Sequence, residues 1–152
     1  MEILFVRGLV PEASSRRKVG LQCPDLRLPS YFIVGGLVFT ALCEPYLRSE
    51  YGDDFDAKAP IQLLDKWQYG IKESVGAQVV VLSQVLSHPA NVGYEHLSNR
   101  LVTRVNGEPC ASLRQLAKVV QAAAKERFVR FELQPHEELV ILETKRLDAI
   151  TQ

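Results

Sequence analysis

The sequence has little that would mark an enzyme, a membrane protein or a nucleic-acid-binding protein. Lys and Arg together number 18, as do Asp and Glu, so the formal net charge is zero. This balance gives no general attraction to nucleic acid or anionic membranes. No apolar run approaches the roughly 20 residues that a membrane-spanning helix needs. The 152 residues are 47% hydrophobic and 24% charged, which is typical of one globular domain.

The cysteine content excludes the common metal and redox motifs. Cys23, Cys43 and Cys110 are widely spaced and form no CxxC pair, so neither a zinc site nor a thioredoxin-like motif is indicated. An odd number of isolated cysteines favours free thiols in a reducing compartment. Cys110 would need a nearby cation to act as a nucleophile. Arg114 is the candidate cation, but a plain loop thiol is the preferred interpretation.

Catalytic and metal-binding patterns are also missing from the sequence. The three histidines have no helical HExxH spacing, and no serine lies in a GxSxG elbow. The aspartates between residues 53 and 56 lack the glycine and terminal glutamate of an EF-hand loop. We therefore predict no catalytic residue, no metal and no cofactor. A small hydrolase remains an alternative, because a Ser–His pair is defined by geometry rather than by spacing.

Residues 1–28 lack periodicity and are interpreted as a poorly ordered leader with a short strand at residues 3–6. A basic stretch at residues 14–18 favours a solvated linker, with a transit peptide or nuclear signal as the alternatives. The domain itself is predicted over residues 29–147, followed by a tail at 148–152.

A glycine pair interrupts the most strand-like stretch of the sequence, between residues 31 and 40. Gly35 and Gly36 predict a strand, a tight glycine loop and a second strand. Free glycine N–H groups could bind an anion such as a peptide carboxylate, and the strand at residues 37–39 could pair with an extended peptide. The alternative is an ordinary glycine bulge.

The rest of the chain alternates helical and strand patterns. Asn106-Gly107 predicts a type I′ turn, Ser112 predicts a helix N-cap, and residues 53–56 are interpreted as a solvated loop. This order predicts an α+β domain with a mostly antiparallel sheet. Helices are predicted over residues 45–51, 60–73 and from 113 onward, and strands over 78–86, 101–105, 128–133 and 139–142.

Several strings resemble known sequences of one family. Residues 79–120 resemble the second half of a PDZ domain of the Deg/HtrA protease type. Longer strings throughout residues 29–147 resemble the C-terminal (second) PDZ domain of plant-type Deg, or protease Do-like, serine proteases. The strings that carry these resemblances are His88-Pro89-Ala90, Val92-Gly93-Tyr94, Val105-Asn106-Gly107, Phe32-Ile33-Val34-Gly35-Gly36-Leu37-Val38-Phe39, Glu44-Pro45-Tyr46-Leu47, Ala59-Pro60-Ile61 and Val140-Ile141-Leu142-Glu143.

The resemblance implies a PDZ-like fold: a mostly antiparallel, partly closed sheet capped by helices, with a helical insertion at residues 44–77. The family's catalytic serine, histidine and aspartate have no matching positions, so the chain by itself is expected to be non-catalytic and to lack the protease domain. It resembles a C-terminal piece of a longer protease or a stand-alone relative.

The resemblance further implies peptide binding and protease oligomer assembly. The expected partners are peptide or protein segments and either further copies of the chain or Deg-protease subunits. A closed-groove scaffold is the alternative, and the insertion could cover or reshape the groove. The compartment is expected to be intracellular, with chloroplast or nucleus favoured over mitochondrion. The implied peptide site consists of Gly35, Gly36, Leu37, Val38, Phe39, Leu113, Leu116 and Val120.

Overall fold

The computed structural model describes residues 31–69 and 77–147. The leader at 1–28 with its strand at 3–6, the tail at 148–152 and residues 70–73 of the predicted helix lie outside the described residues. The strands are Tyr31–Val34 (β1), Leu37–Ala41 (β2), Val80–Val85 (β3), Arg100–Val105 (β4), Glu108–Pro109 (β5), Phe128–Gln134 (β6) and Glu138–Glu143 (β7). The helices are Glu44–Tyr51 (α1), Phe55–Lys58 (α2), Ile61–Tyr69 (α3), Leu113–Ala122 (α4) and Thr144–Leu147 (α5).

The sheet is antiparallel throughout its described pairs, as the sequence predicts. Its strands lie in the order β1-β2-β3-β4-β6-β7, and β5 pairs with β4 beside this path. The sheet stays open between its edge strands β1 and β7 in the described part of the chain, but it curls. A methyl group placed on Gly35, in the β1–β2 turn, would lie only 2.9 Å from Leu142 of β7. The prediction of an α+β domain with a mostly antiparallel sheet is confirmed.

One face of the sheet carries the main hydrophobic core beneath α4. Alternate residues of each strand point to opposite faces, and the residues pointing to this face form one core with α4 and with Leu147 of α5. Phe39 forms the centre of an aromatic group, with its ring centroid 5.1 Å from that of Phe131 and 6.3 Å from that of Phe32. The fully buried members of this core include Phe32, Leu37, Phe39, Val80, Leu82, Leu116, Val120, Val129, Phe131, Val140 and Leu142.

The opposite face of the sheet is covered by the helical insertion α1–α3. Val81 and Leu101 alternate with core residues of β3 and β4, and they pack with buried side chains of the insertion in a second cluster. Phe55 and Trp67 meet edge to face within it at 5.1 Å. The Tyr46 hydroxyl donates a hydrogen bond to the Asn99 amide oxygen, which joins α1 to the segment before β4. The insertion therefore lies on the far side of the sheet from α4.

Residues 53–56 differ from the predicted solvated loop. Helix α1 ends at Gly52 as expected, but Phe55–Lys58 forms the single helical turn α2. Phe55 is buried against Trp67, and this contact stabilises the helical turn. The neighbouring aspartates gave the segment the composition of a solvated loop, so the turn was not predicted. Asp53 stays exposed and forms an ion pair with Arg48 at 2.9 Å. The short elements β5 and α5 were not predicted, because two to four residues carry no periodicity.

The predicted Asn106-Gly107 turn is confirmed. Both residues have positive φ, 50° and 81°, and Val105 pairs with Glu108 across the turn, which are the features of a type I′ hairpin. The Asn106 side-chain oxygen also accepts from the Arg130 N–H at 2.8 Å, and the Asn106 N–H donates to the Arg130 carbonyl at 2.8 Å. One residue thus makes the turn and ties it to β6.

Ser112 caps helix α4, as predicted, because its hydroxyl accepts from the Gln115 N–H at 3.1 Å. The Gln115 side chain reaches back and accepts from the Ala111 N–H at 3.0 Å.

We expect Ser112→Ala to lower the free energy of unfolding by about 1 kcal/mol, since an unpaired N–H is left in the first turn. Ser112→Asp keeps an acceptor and should stay close to wild type in urea denaturation. Equal midpoints for Ser112→Ala and wild type would contradict this role.

Candidate interaction site

Gly35 and Gly36 form a two-residue turn that joins β1 directly to β2. Their φ angles are +54° and +78°, and Val34 pairs with Leu37 across them. Such positive φ angles cost glycine little but strain other residues. The predicted strand, tight glycine loop and second strand are therefore confirmed. The anion at the glycine N–H groups stays a prediction.

The turn is held in place by the segment that follows β3. The Gly36 carbonyl accepts from the Leu86 N–H at 2.8 Å, and the Gly35 carbonyl accepts from the Asn91 side-chain amide at 2.7 Å. The same amide donates to the Leu86 carbonyl at 2.8 Å. Asn91 is almost completely buried. Sequence reasoning did not single it out, because an asparagine in a polar loop has no distinguishing pattern.

Strand β2 has both edges paired. One edge bonds to β1, in the register Tyr31↔Thr40 to Val34↔Leu37, and the other bonds to β3. Leu37 and Phe39 are fully buried in the main core, and Val38 is also buried. The Val38 carbonyl accepts from the Ser83 hydroxyl at 3.1 Å. Leu37 and Phe39 therefore pack in the main core, and the β2 backbone pairs with both neighbouring strands.

Helix α4 presents its predicted residues to the same core. Leu113, Leu116 and Val120 are all buried there, and the Leu113 N–H donates to the Gln78 side chain at 3.2 Å. Cα atoms of α4 approach within 8 Å of both β1 and β2. Five residues of the implied peptide site therefore share one core: Leu37, Phe39, Leu113, Leu116 and Val120. Gly35 and Gly36 are instead hydrogen-bonded to Asn91 and Leu86, and Val38 lies outside this core. β1 lies beside β2 and α4.

The serine and histidine side chains considered for a hydrolase site each have a backbone partner in the structure. The Ser83 hydroxyl is buried and bonded to a carbonyl, and His88 Nδ1 accepts from the Ala90 N–H at 3.0 Å. Within residues 31–69 and 77–147, no group of three His, Cys, Asp or Glu side chains could hold a metal ion. In that same part of the chain, no helix has the length and apolarity required to cross a membrane.

Cys110 is held as a neutral thiol. Burial raises the pKa of the Cys110 thiol to about 12, outweighing the opposite effect of a backbone hydrogen bond with Ser112. Arg114, the cation considered for activating it, is exposed. With an ordinary cysteine pKa of about 8.5, this environment leaves on the order of 1,000-fold less thiolate at pH 8.

We therefore expect iodoacetamide to alkylate Cys110 far more slowly in the folded chain than in urea at pH 8. The modification is measured by mass spectrometry of the peptide that contains Cys110. Because the folded pKa lies above the unfolded one, the neutral thiol favours the native state. Its contribution to stability should be lost between about pH 8.5 and pH 12. Alkylation of folded Cys110 at the rate of an exposed thiol would contradict this result.

Comparison with known proteins places this site in context. Residues 22–152 match a family model described as a PDZ domain. The chain is 40% identical over 106 residues to "Protease Do-like 2, chloroplastic" of Arabidopsis thaliana, covering 70% of the chain and 17% of that relative. It is 32% identical over 123 residues to "Putative protease Do-like 3, mitochondrial" of the same plant, covering 80% and 20%. "Protease Do-like 4, mitochondrial" is 29% identical over 116 residues, covering 76% and 19%.

These matches confirm the resemblance found in the sequence and the PDZ-like α+β fold. The chain spans about a fifth or less of the length of the curated relatives it matches.

Proposed function

The chain belongs to the PDZ domain family, and we propose that it is a non-catalytic interaction region of a Do-like serine protease. In this proposal it contributes peptide binding and protease oligomer assembly, while proteolysis is the work of a separate protease domain. The relatives named as proteases support the assignment. The environments of Ser83 and Cys110 also favour it over a small hydrolase.

The observation that carries the proposal is the position of β1. An extended strand lies antiparallel along β2 and beside α4. Addition of a strand to a sheet edge is a general mode of peptide recognition, with backbone pairing for affinity and alternate side chains for specificity. The fold therefore has the geometry to hold an extended segment at this place. The insertion leaves this side free, since it packs on the opposite face.

An exposed apolar strip supports the assembly role. Phe128, Leu139 and Ile141 lie on the outer face of the β6–β7 hairpin and are 44%, 43% and 41% exposed. This face lies on the same side of the sheet as the insertion, which packs against β3 and β4. Grouped exposed apolar side chains commonly mark protein–protein contacts. We propose that a further copy of the chain or a Do-like protease subunit covers this strip.

Size-exclusion chromatography with light scattering tests the assembly role, using the full chain alone and mixed with the chloroplastic Do-like 2 protease. We expect a species larger than the monomer, or co-elution with the protease, and loss of either in Ile141→Asp. Ile61→Asp is the matched control, because Ile61 is 67% exposed on α3. Persistent monomer with no co-elution would overturn the assembly role. If Ile141→Asp and Ile61→Asp lost assembly equally, the apolar strip would not be the assembly surface.

A closed-groove scaffold is the second candidate, and one observation favours it. Both edges of β2 are already paired, so a scaffold would assemble through its surface and would bind no extended peptide. Fluorescence anisotropy of a labelled extended peptide separates the two candidates, since a scaffold should leave the anisotropy unchanged.

A chloroplast or mitochondrial compartment is proposed for the chain, since the relatives are named for these organelles. Organelle import of the full-length natural protein fused to a fluorescent reporter tests this assignment. Fluorescence confined to the nucleus, the other compartment considered, would contradict it.

A further inference from the structure

Two cross-strand pairs lie side by side on the outer face of the β6–β7 hairpin: Arg130 with Ile141, and Glu132 with Leu139. Leu139 and Ile141 are each about two-fifths exposed, Arg130 is exposed and Glu132 is half-buried. Within residues 31–69 and 77–147, neither Arg130 nor Glu132 forms an ion pair. These four residues, the outer patch, therefore combine two apolar side chains with two opposite charges that have no charged partner in the described chain.

The pairing register gives the outer patch a two-fold symmetry. The pair between its two rows is Phe131 with Val140, and both of these side chains point into the main core on the other face. A two-fold axis that crosses both strands at this pair exchanges the cation with the anion on β6 and one aliphatic residue with the other on β7. A second copy placed face to face across this axis therefore sets opposite charges and apolar side chains against each other, each contact twice.

We propose that the outer patch is a self-association surface, occupied by the outer patch of a second copy of the chain. The two copies form two Arg130–Glu132 ion pairs and two Ile141–Leu139 contacts. A contact that uses the same surface on both partners is isologous and closes as a dimer. An unrelated partner would need only a complementary surface, and its binding would not require the two rows to be related by symmetry. This inference rests on the proposed assembly role and names its partner, surface and symmetry.

The shape of the sheet leaves room for the second copy. The sheet curls toward the main core, since a methyl group on Gly35 would lie 2.9 Å from Leu142 of β7. Its outer face is therefore convex, and the β6–β7 hairpin turns away from β3 and β4, where the insertion packs. Phe128 lies three positions from the axis along β6, where two convex faces separate. We therefore expect the four residues of the outer patch to dominate the contact.

The charges allow a test in which two defects compensate each other. Sedimentation equilibrium on the full 152-residue chain measures the dimer dissociation constant of wild type, Arg130→Glu and Glu132→Arg. Each reversal places like charges opposite each other twice, so each variant alone should dimerise on the order of 100-fold more weakly than wild type. An equimolar mixture of the two variants should recover dimers, because every charged contact between them then joins a glutamate to an arginine.

Arg114→Glu is the matched control, because it makes the same change of charge at an exposed position of α4. It should dimerise as wild type does. All three variants should fold, since surface substitutions usually change stability little. If one does not fold, NMR of wild type replaces it: amide signals of β6 and β7 should shift on dilution, while those of α4 should not.

Several results would overturn the inference. They are a wild-type chain that stays monomeric, single reversals that dimerise as strongly as wild type, a mixture that dimerises no better than its components, and dilution shifts confined to other surfaces. Co-elution of a monomeric chain with the Do-like 2 protease would keep the assembly role and assign the outer patch to a protease subunit instead. Failure of this inference is therefore distinguishable from failure of the assembly role.

Discussion

Gly36→Ala is expected to lower the free energy of unfolding by about 3 kcal/mol. A methyl group on Gly36 would lie 2.5 Å from the Leu86 carbonyl oxygen and 2.8 Å from the His88 Cβ, and it would also meet the Asn91 amide. The positive φ adds a penalty of about 1–2 kcal/mol for alanine, and forcing a close-packed neighbour aside adds about 1–3 kcal/mol. The fluorescence of Trp67, the single tryptophan, reports unfolding in urea.

Gly107→Ala is the matched control for this substitution. Gly107 is also the second residue of a two-residue hairpin turn and has φ of +81°, but nothing lies within 4 Å of the position that an alanine methyl group would take there. Gly107→Ala should therefore lower the free energy of unfolding only by the backbone penalty of about 1–2 kcal/mol. If the two glycine variants lost the same stability, the close packing of residues 86–91 around the β1–β2 turn would be refuted.

Phe39→Ala is expected to lower the free energy of unfolding by about 3–5 kcal/mol, as for other buried phenylalanines. Phe39 is fully buried between Phe131 at 5.1 Å and Phe32 at 6.3 Å, so its removal leaves a cavity and breaks two ring contacts. Phe128→Ala should cost less than about 1 kcal/mol, since its ring is substantially exposed.

The same pair of variants distinguishes two roles for residue 39. If its side chain served mainly as a ligand contact, Phe39→Ala would weaken peptide binding with little loss of stability. The Phe39 side chain is fully buried in the main core. The urea midpoint of Phe39→Ala should therefore lie well below that of wild type. A midpoint for Phe39→Ala equal to that of Phe128→Ala would contradict this role.

The sequence predicted those elements whose signals are local. The Gly35-Gly36 and Asn106-Gly107 turns followed from the residues that positive φ requires. Helix α4 followed from the Ser112 cap and its apolar stripe. Alternation in Phe128–Gln134 marked one face of β6 as core. These features depend on neighbours in the chain, and so they can be recognised without the fold.

The features that the sequence did not reveal depend on distant partners. Nothing local indicates that Asn91 reaches Gly35, 56 residues away, or that Phe55 folds Phe55–Lys58 into a turn against Trp67. The sequence also did not predict the side of the sheet on which the insertion packs. Val81 lies within a continuous apolar run, and Leu101 is followed directly by the core residue Val102, so neither shows an alternating pattern. The occupation of the β2 edge by β1 follows only from the pairing register.

The central claim is that β1 occupies the edge of β2 beside α4, and amide hydrogen exchange measured by NMR on the full chain tests it most directly. Neighbouring amides of an antiparallel strand point alternately to its two sides. With both edges paired, consecutive amides of residues 37–40 should all be protected. Amides of β1 should exchange faster than those of β3, because β1 is a four-residue strand that pairs on one side only in the described part of the chain, and such elements open locally. Rapid exchange at every second amide of β2, with protection only toward β3, would mean that its edge is open and would contradict the account.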